Sequence, residues 1–176
     1  TGAFSVDCVT GGTYSVSAGQ WGYVNSAQTV VVNGDEAVTI QLTQGYYDDF
    51  TPDYGWTTSA TSPTGLWERG TPNGSTIGNA LSNPDMDVST DGGTSCFVTG
   101  NSGGQAGSVD VDGGSVTLTC PPMQLAGYND AILNFYYWFF NGGGNGTTPN
   151  DHFEVRVSNG VQDVQLLNVT TPASAW

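Results

Sequence analysis

One imidazole, His152, and three thiols, Cys8, Cys96 and Cys120, set a low ceiling on the chemistry of this chain. A zinc hydrolase needs several His and Glu ligands around an open position for water, which a single histidine cannot supply. A Ser/His/Asp relay would also depend on His152, and no G-x-S-x-G elbow occurs. Sixteen acids are present, but no pair stands out as the flanking carboxylates of a glycosidase. The chain is therefore not expected to be an enzyme. His152 opens an apparent strand, faces away from Phe153 by alternation, and is expected to be an ordinary exposed side chain.

Calcium is the better chemical expectation. Asp85, Asp87 and Asp91 fall in N-P-D-M-D-V-S-T-D-G-G over residues 83–93, and Asp110 and Asp112 frame Val111 before Gly113-Gly114. Alternate acids in a loop can turn their oxygens the same way, and glycines let carbonyls fold toward an ion. The second loop, or both together, is expected to hold calcium as a structural rivet. Neither loop has EF-hand spacing, and Asp-Gly pairs also make plain turns.

Cys96 and Cys120 lie in apparent strands of one region and form a candidate disulfide, subject to geometry that sequence cannot supply. Cys8 would then be free or paired outside the chain. Trp and Tyr faces stack on sugars and partner proteins. Trp21 and Tyr23, in an apparent loop, are the candidate ligand-binding pair. Trp56, Trp67 and Trp138 read as core.

Sixteen acidic residues against Arg69 and Arg156, with no lysine, give a net charge of −14. That balance disfavours nucleic acid and anionic membranes as partners, and no apolar run approaches the ~20 residues of a membrane span. Sequons at Asn73, Asn145 and Asn168 mark surface positions if the host glycosylates them.

The scaffold that must position these groups reads as all-β, because Val, Tyr, Phe and Trp alternate with Thr, Ser and Asn and are punctuated by glycine. Residues 1–44 suggest four strands: 3–9, 14–18, 29–32 and 38–42, with Asn33-Gly34 as a hairpin turn between the last two. Residues 45–52 form a junction. Beyond it come strands at Ser115–Thr119, Leu133–Phe140 (both faces covered), Asp151–Ser158 and Asp163–Thr170, with a glycine loop over 141–146.

The run Gly12-Thr13-Tyr14-Ser15-Val16, the pair Gly22-Tyr23 and the strands 29–32 and 38–42 resemble the C-terminal part of a carboxypeptidase regulatory-like domain. That family is a small transthyretin-like, Ig-like sandwich often attached to secreted zinc carboxypeptidases. Over 53–176, the order G-L-W-E-R-G-T-P (65–72), C-F-V-T-G-N (96–101), D-V-D-G-G (110–114), Pro121-Pro122 and the aromatic strand is similar to jelly-roll modules downstream of such domains. The resemblance implies a partial sandwich over 1–44 followed by a jelly-roll β-sandwich that lacks its last strands. The implied function is a non-catalytic accessory module of a larger extracellular or cell-surface bacterial protein, perched beside an enzyme such as a metallocarboxypeptidase. Its expected partners are glycan or protein, together with neighbouring domains or subunits that complete the sheets. The alternative is an adhesin or filament subunit assembled by strand exchange.

Overall fold

The computed structural model describes residues 2–107, 109–142 and 149–176. Asn145 and most of the 141–146 glycine loop lie outside them. Among the described residues there is no helix, and the chain is all-β, with thirteen strands in six small sheets. Among the described residues, no helix is long and apolar enough to cross a membrane.

The chain divides into two compact units, 1–48 with 121–126 and 49–120 with 127–176. In the first, β1 (Gly12–Ala18) pairs antiparallel with β3 (Ser26–Val32) over seven residues, from Gly12 opposite Val32 to Ala18 opposite Ser26. A short pair, β2 (Tyr23–Val24) with β4 (Thr43–Gln44), lies beyond it. The Tyr14 ring lies over Gly12, where any Cβ would collide with it. Its hydroxyl donates to the Val9 carbonyl at 2.9 Å and accepts the Val9 N–H at 3.1 Å. Glycine at position 12 leaves room for the ring, and a side chain there would push Tyr14 aside.

Two strand expectations in this unit are corrected. Residues 3–9 form no strand, and Phe4, Val6 and Val9 are exposed. Residues 38–42 are also outside any strand, and Asn33-Gly34 is a bend. β3 pairs only with β1, and its other edge has no strand partner among the described residues.

The second unit contains β5 (Thr57–Ala60), β6 (Trp67–Gly70), β7 (Ser75–Ile77), β8 (Ala80–Asn83), β9 (Cys96–Thr99), β10 (Gly104–Gln105), β11 (Val116–Thr119), β12 (Phe153–Ser158) and β13 (Asp163–Val169). β5 pairs with β11, β6 with β9 and β12 with β13, all antiparallel. β7 pairs antiparallel with β8 and parallel with β10. Ser115–Thr119, Asp151–Ser158 and Asp163–Thr170 are therefore strands within a residue or two of expectation. The buried apolar positions among the described residues are Val32 in the first unit and Val88, Cys96 and Val98 in the second.

Leu133–Phe140 is a further correction. Only Phe139 makes a bridge, to Ala173, with N–H to O distances of 3.0 and 2.7 Å. The segment is fastened at its C-terminal end: Tyr137 stacks on Phe153 at 5.3 Å, and the Trp138 indole N–H donates to the Ser82 carbonyl at 2.9 Å. Its N-terminal end is bare, with Leu133 46% and Tyr136 61% exposed. An aromatic run without a pairing partner keeps its sequence pattern but not its ladder.

Candidate functional site

The strongest electrostatic feature is an acidic corner in the second unit. Asp49 is buried, and its Oδ1 accepts the Thr51 N–H at 3.0 Å. Phe50 adopts φ 56°, a strained value for an aromatic residue, and its ring packs edge-on against Trp56 and Phe97 at 5.5 and 5.3 Å. Arg69 Nη1 donates to the Phe50 carbonyl at 2.8 Å and Nη2 lies 3.8 Å from Asp53. This clamp holds the Asp49 carboxylate near the Asp91-Gly92-Gly93 turn, where Oδ2 would lie 3.3 Å from a Cβ placed on Gly92.

Asp87 faces the same corner. Its Oδ1 accepts the Val88 N–H at 2.8 Å, and its Oδ2 is buried with no hydrogen-bond partner. Burial pushes the Asp87 carboxyl above its ordinary value, the Val88 N–H opposes the shift, and the like charges of Asp91 and Asp49 add to it. The Cys96 thiol is pushed up to about 12 by burial, then by Asp87 and Asp91.

The corner gathers two of the expected acids, Asp87 and Asp91, and adds Asp49. Asp85 is exposed, beside Gly74. Asp110 and Asp112 belong to a different place. The Ser62 hydroxyl donates to the Asp112 carbonyl at 2.8 Å and accepts its N–H at 3.2 Å, so this loop is held by its main chain while both carboxylates stand exposed. Among the described residues, no group of three or more His, Cys, Asp or Glu side chains is placed to hold a metal ion. What fits calcium is narrower: an orphaned carboxylate oxygen on Asp87, beside two further acids and a turn with two glycines.

Cys8, Cys96 and Cys120 are all free thiols, which corrects the expected Cys96–Cys120 bridge. Cys96 sits on β9, paired with β6, whereas Cys120 follows β11, paired with β5. Sharing a region of sequence did not place them on neighbouring strands. His152 is exposed as expected, 3.7 Å from Glu154.

In the first unit, Trp21 and Tyr23 are close in sequence but differently placed. Tyr23 is exposed. Trp21 is half-buried; its indole N–H donates to the Pro122 carbonyl at 3.0 Å, and its ring meets Tyr46 edge-on at 5.1 Å. Tyr46 in turn accepts the Gln124 N–H at 2.6 Å. Trp21 therefore clasps the 121–126 segment, a structural task that leaves Tyr23 as the open member of the pair. Trp56, Trp67 and Trp138, expected in the core, are each only half-buried.

Asp49 was missed because some forty positions separate it from the acids it meets, and a junction Asp carries no local mark. Comparison with protein-family models, with curated proteins and with solved structures finds no match to this chain.

Proposed function

We propose that the chain is a non-catalytic accessory module of a larger secreted or cell-surface bacterial protein, presenting a surface to glycan or protein. The observation that carries this reading is the apolar surface left open. Exposed apolar side chains include Ile132, Leu133, Phe135 and Tyr136 and, on the last hairpin, Val157, Val164 and Leu166. Exposed apolar patches of this kind mark places where something else packs. The resemblance to a regulatory-like domain and jelly roll suggests a secreted metallocarboxypeptidase as parent. With His152 as the only imidazole, peptidase chemistry would belong to that parent.

Calcium is the cofactor in this reading, and the observation that favours it is the orphaned Asp87 oxygen rather than the exposed 110–112 carboxylates. An ion beside Asp87 would take that oxygen and draw its remaining ligands from the main chain. Its task would be to fasten the turn at 91–93.

The bare face of β12 and β13 favours a second reading, a structural subunit completed by a neighbour's strand. The intact mass of the natural polypeptide, combined with light scattering over a range of concentrations, separates the two. A much longer monomeric chain is expected for the accessory module. A short chain that grows in mass with concentration would overturn that reading in favour of strand exchange.

A further inference from the structure

Asn33-Gly34 is a turn signal that the fold leaves without a hairpin: the pair forms an exposed bend after β3. The sequence holds further Asn-Gly pairs at 73–74, 141–142, 145–146 and 159–160, and all but 145–146 lie among the described residues. Such pairs carry a chemistry of their own. Asparagine is a thermolabile residue, and a following glycine, with no Cβ, leaves its own nitrogen open to the asparagine side chain. That nitrogen can attack the side-chain amide carbon wherever both groups are accessible and free to approach each other.

The fold treats the described pairs differently. Asn141 is 6% exposed, and its Nδ2 donates to the Asp151 carbonyl at 2.9 Å and to the Thr170 carbonyl at 3.0 Å. Asn159 Oδ1 accepts the Val161 and Gln162 N–H groups at 3.0 and 2.7 Å, while the Gly160 N–H donates to Ser158 Oγ at 3.1 Å. Both reacting groups of that pair are engaged. The Asn73 amide lies against Gly103, where a Cβ would meet Nδ2 at 2.6 Å, and a Cβ on Gly74 would meet that of Asp85 at 2.7 Å. The Asn73 N–H is also tied, donating to Asn101 Oδ1 at 2.8 Å.

Asn33 has none of these restraints. Both residues of the pair are exposed. The Asn33 N–H donates to Glu36 Oε1 at 3.3 Å, but among the described residues neither the Asn33 carboxamide nor the Gly34 N–H has a hydrogen-bond partner. A Cβ on Gly34 would meet nothing within 4 Å, so the Gly34 nitrogen has room to swing toward the side chain. Asp35 and Glu36 stand beside the pair and are exposed, so water and salt screen the charge they set against loss of the amide proton.

We propose that Asn33 is a site of spontaneous covalent modification in the folded protein, converting to aspartate and iso-aspartate ahead of Asn73, Asn141 and Asn159. The Gly34 nitrogen gives its proton to solvent and bonds to Asn33 Cγ. The Cγ–Nδ2 bond breaks, and ammonia leaves with a proton taken from solvent. Water then opens the cyclic imide at either carbonyl, and no oxidant or reductant takes part. One product keeps the main chain as it was. The other reroutes it through the side-chain carbons directly after Val32, whose carbonyl accepts the Gly11 N–H at 2.6 Å. Either product adds one negative charge to the net −14.

Tryptic mapping tests this directly, because the chain has no lysine and its arginines are Arg69 and Arg156. The piece 1–69 holds Asn33-Gly34 as its single Asn-Gly pair. The purified chain is kept in mildly alkaline buffer, with and without guanidinium chloride, and fragment masses locate each amide-to-acid change over time. In native buffer Asn33 should convert ahead of Asn73, Asn141 and Asn159 and at close to its unfolded rate, whereas Asn141 and Asn159 should convert readily only when unfolded. Gly34→Ala, which the open space at that glycine accommodates, should leave the melting temperature unchanged. It should slow conversion of Asn33 about tenfold, the factor for about 1.4 kcal/mol of added barrier. Native conversion of Asn73, Asn141 or Asn159 ahead of Asn33 would overturn the proposal. So would an Asn33 protected by folding as strongly as Asn141, or an unaltered rate in Gly34→Ala.

Discussion

Val98 on β9 and Val157 on β12 hold similar places in the sequence pattern: each is an apolar position in an alternating strand that pairs antiparallel with a single partner. Val98 is 4% exposed and Val157 is 47% exposed. The strands do not differ in kind; their coverings do. Phe97 on β9 is packed by Phe50 and Trp56, and Cys96 lies near the Asp87–Asp91 loop. On β12, Tyr137 and Phe139 cover Phe153 at one end, and the hairpin then runs out beyond their reach. Two strands with the same pattern thus have different worth, because burial comes from the loops and aromatic segments laid over them.

The comparison can be broken or sharpened by measurement. The largest contrast is in thiol reactivity. With its thiol pushed up to about 12, Cys96 holds only about one thiolate in ten thousand at pH 8. Timed alkylation should therefore label exposed Cys8 quickly and Cys96 only after denaturation. Early labelling of Cys96 would mean that the covering over β9 is loose. Next, Val98→Asp should cost about 4 kcal/mol or prevent folding, because it buries an unpaired charge. Val157→Asp should move the melting temperature by a degree or two, corresponding to less than about 0.5 kcal/mol. Equal losses at both sites would show that a partner covers β12.

Smaller effects follow at the acidic corner. Because the folded-state pKa of Asp87 is raised, the native state holds the proton more tightly than the unfolded chain. The Asp87 contribution is therefore favourable in acid and is lost as pH rises through the raised pKa. Asp87→Asn should flatten that part of a chemical-denaturation series against pH. Calcium at a hundredfold its dissociation constant should stabilise the wild type by about 2.7 kcal/mol, and Asp87→Asn should lose most of that gain. A melt indifferent to calcium up to about 10 mM, roughly ten times the ~1 mM of the weakest extracellular sites, would remove the ion from the account. The smallest change is expected for Phe135→Ser combined with Tyr136→Ser: binding of a hydrophobic dye should fall with little shift in the melt.

The sequence made the all-β class legible, together with β1, β3, β9 and the three strands nearest the C-terminal end. Alternation and turn residues are local signals, and those strands find partners within the chain. Residues 3–9, 38–42 and 133–138 carry the same signals without a ladder, since alternation records an apolar face but not an available edge. The acidic corner was half legible. Asp87 and Asp91 stand out beside glycines, whereas Asp49 arrives through the Phe50 clamp, which only tertiary packing creates.

Trp176 donates its indole N–H to the Met86 carbonyl at 2.7 Å, a tie that spans ninety positions. The β1–β3 pair and the β12–β13 hairpin close over short stretches and lose little chain entropy in doing so, whereas a closure of this span loses considerably more. The order of assembly follows. Hairpins should form early and independently, and the Trp176 tie, with its edge contact to Trp138, should be among the last contacts made and the first released. A slow final change in tryptophan fluorescence during refolding would therefore report the closing of the second unit.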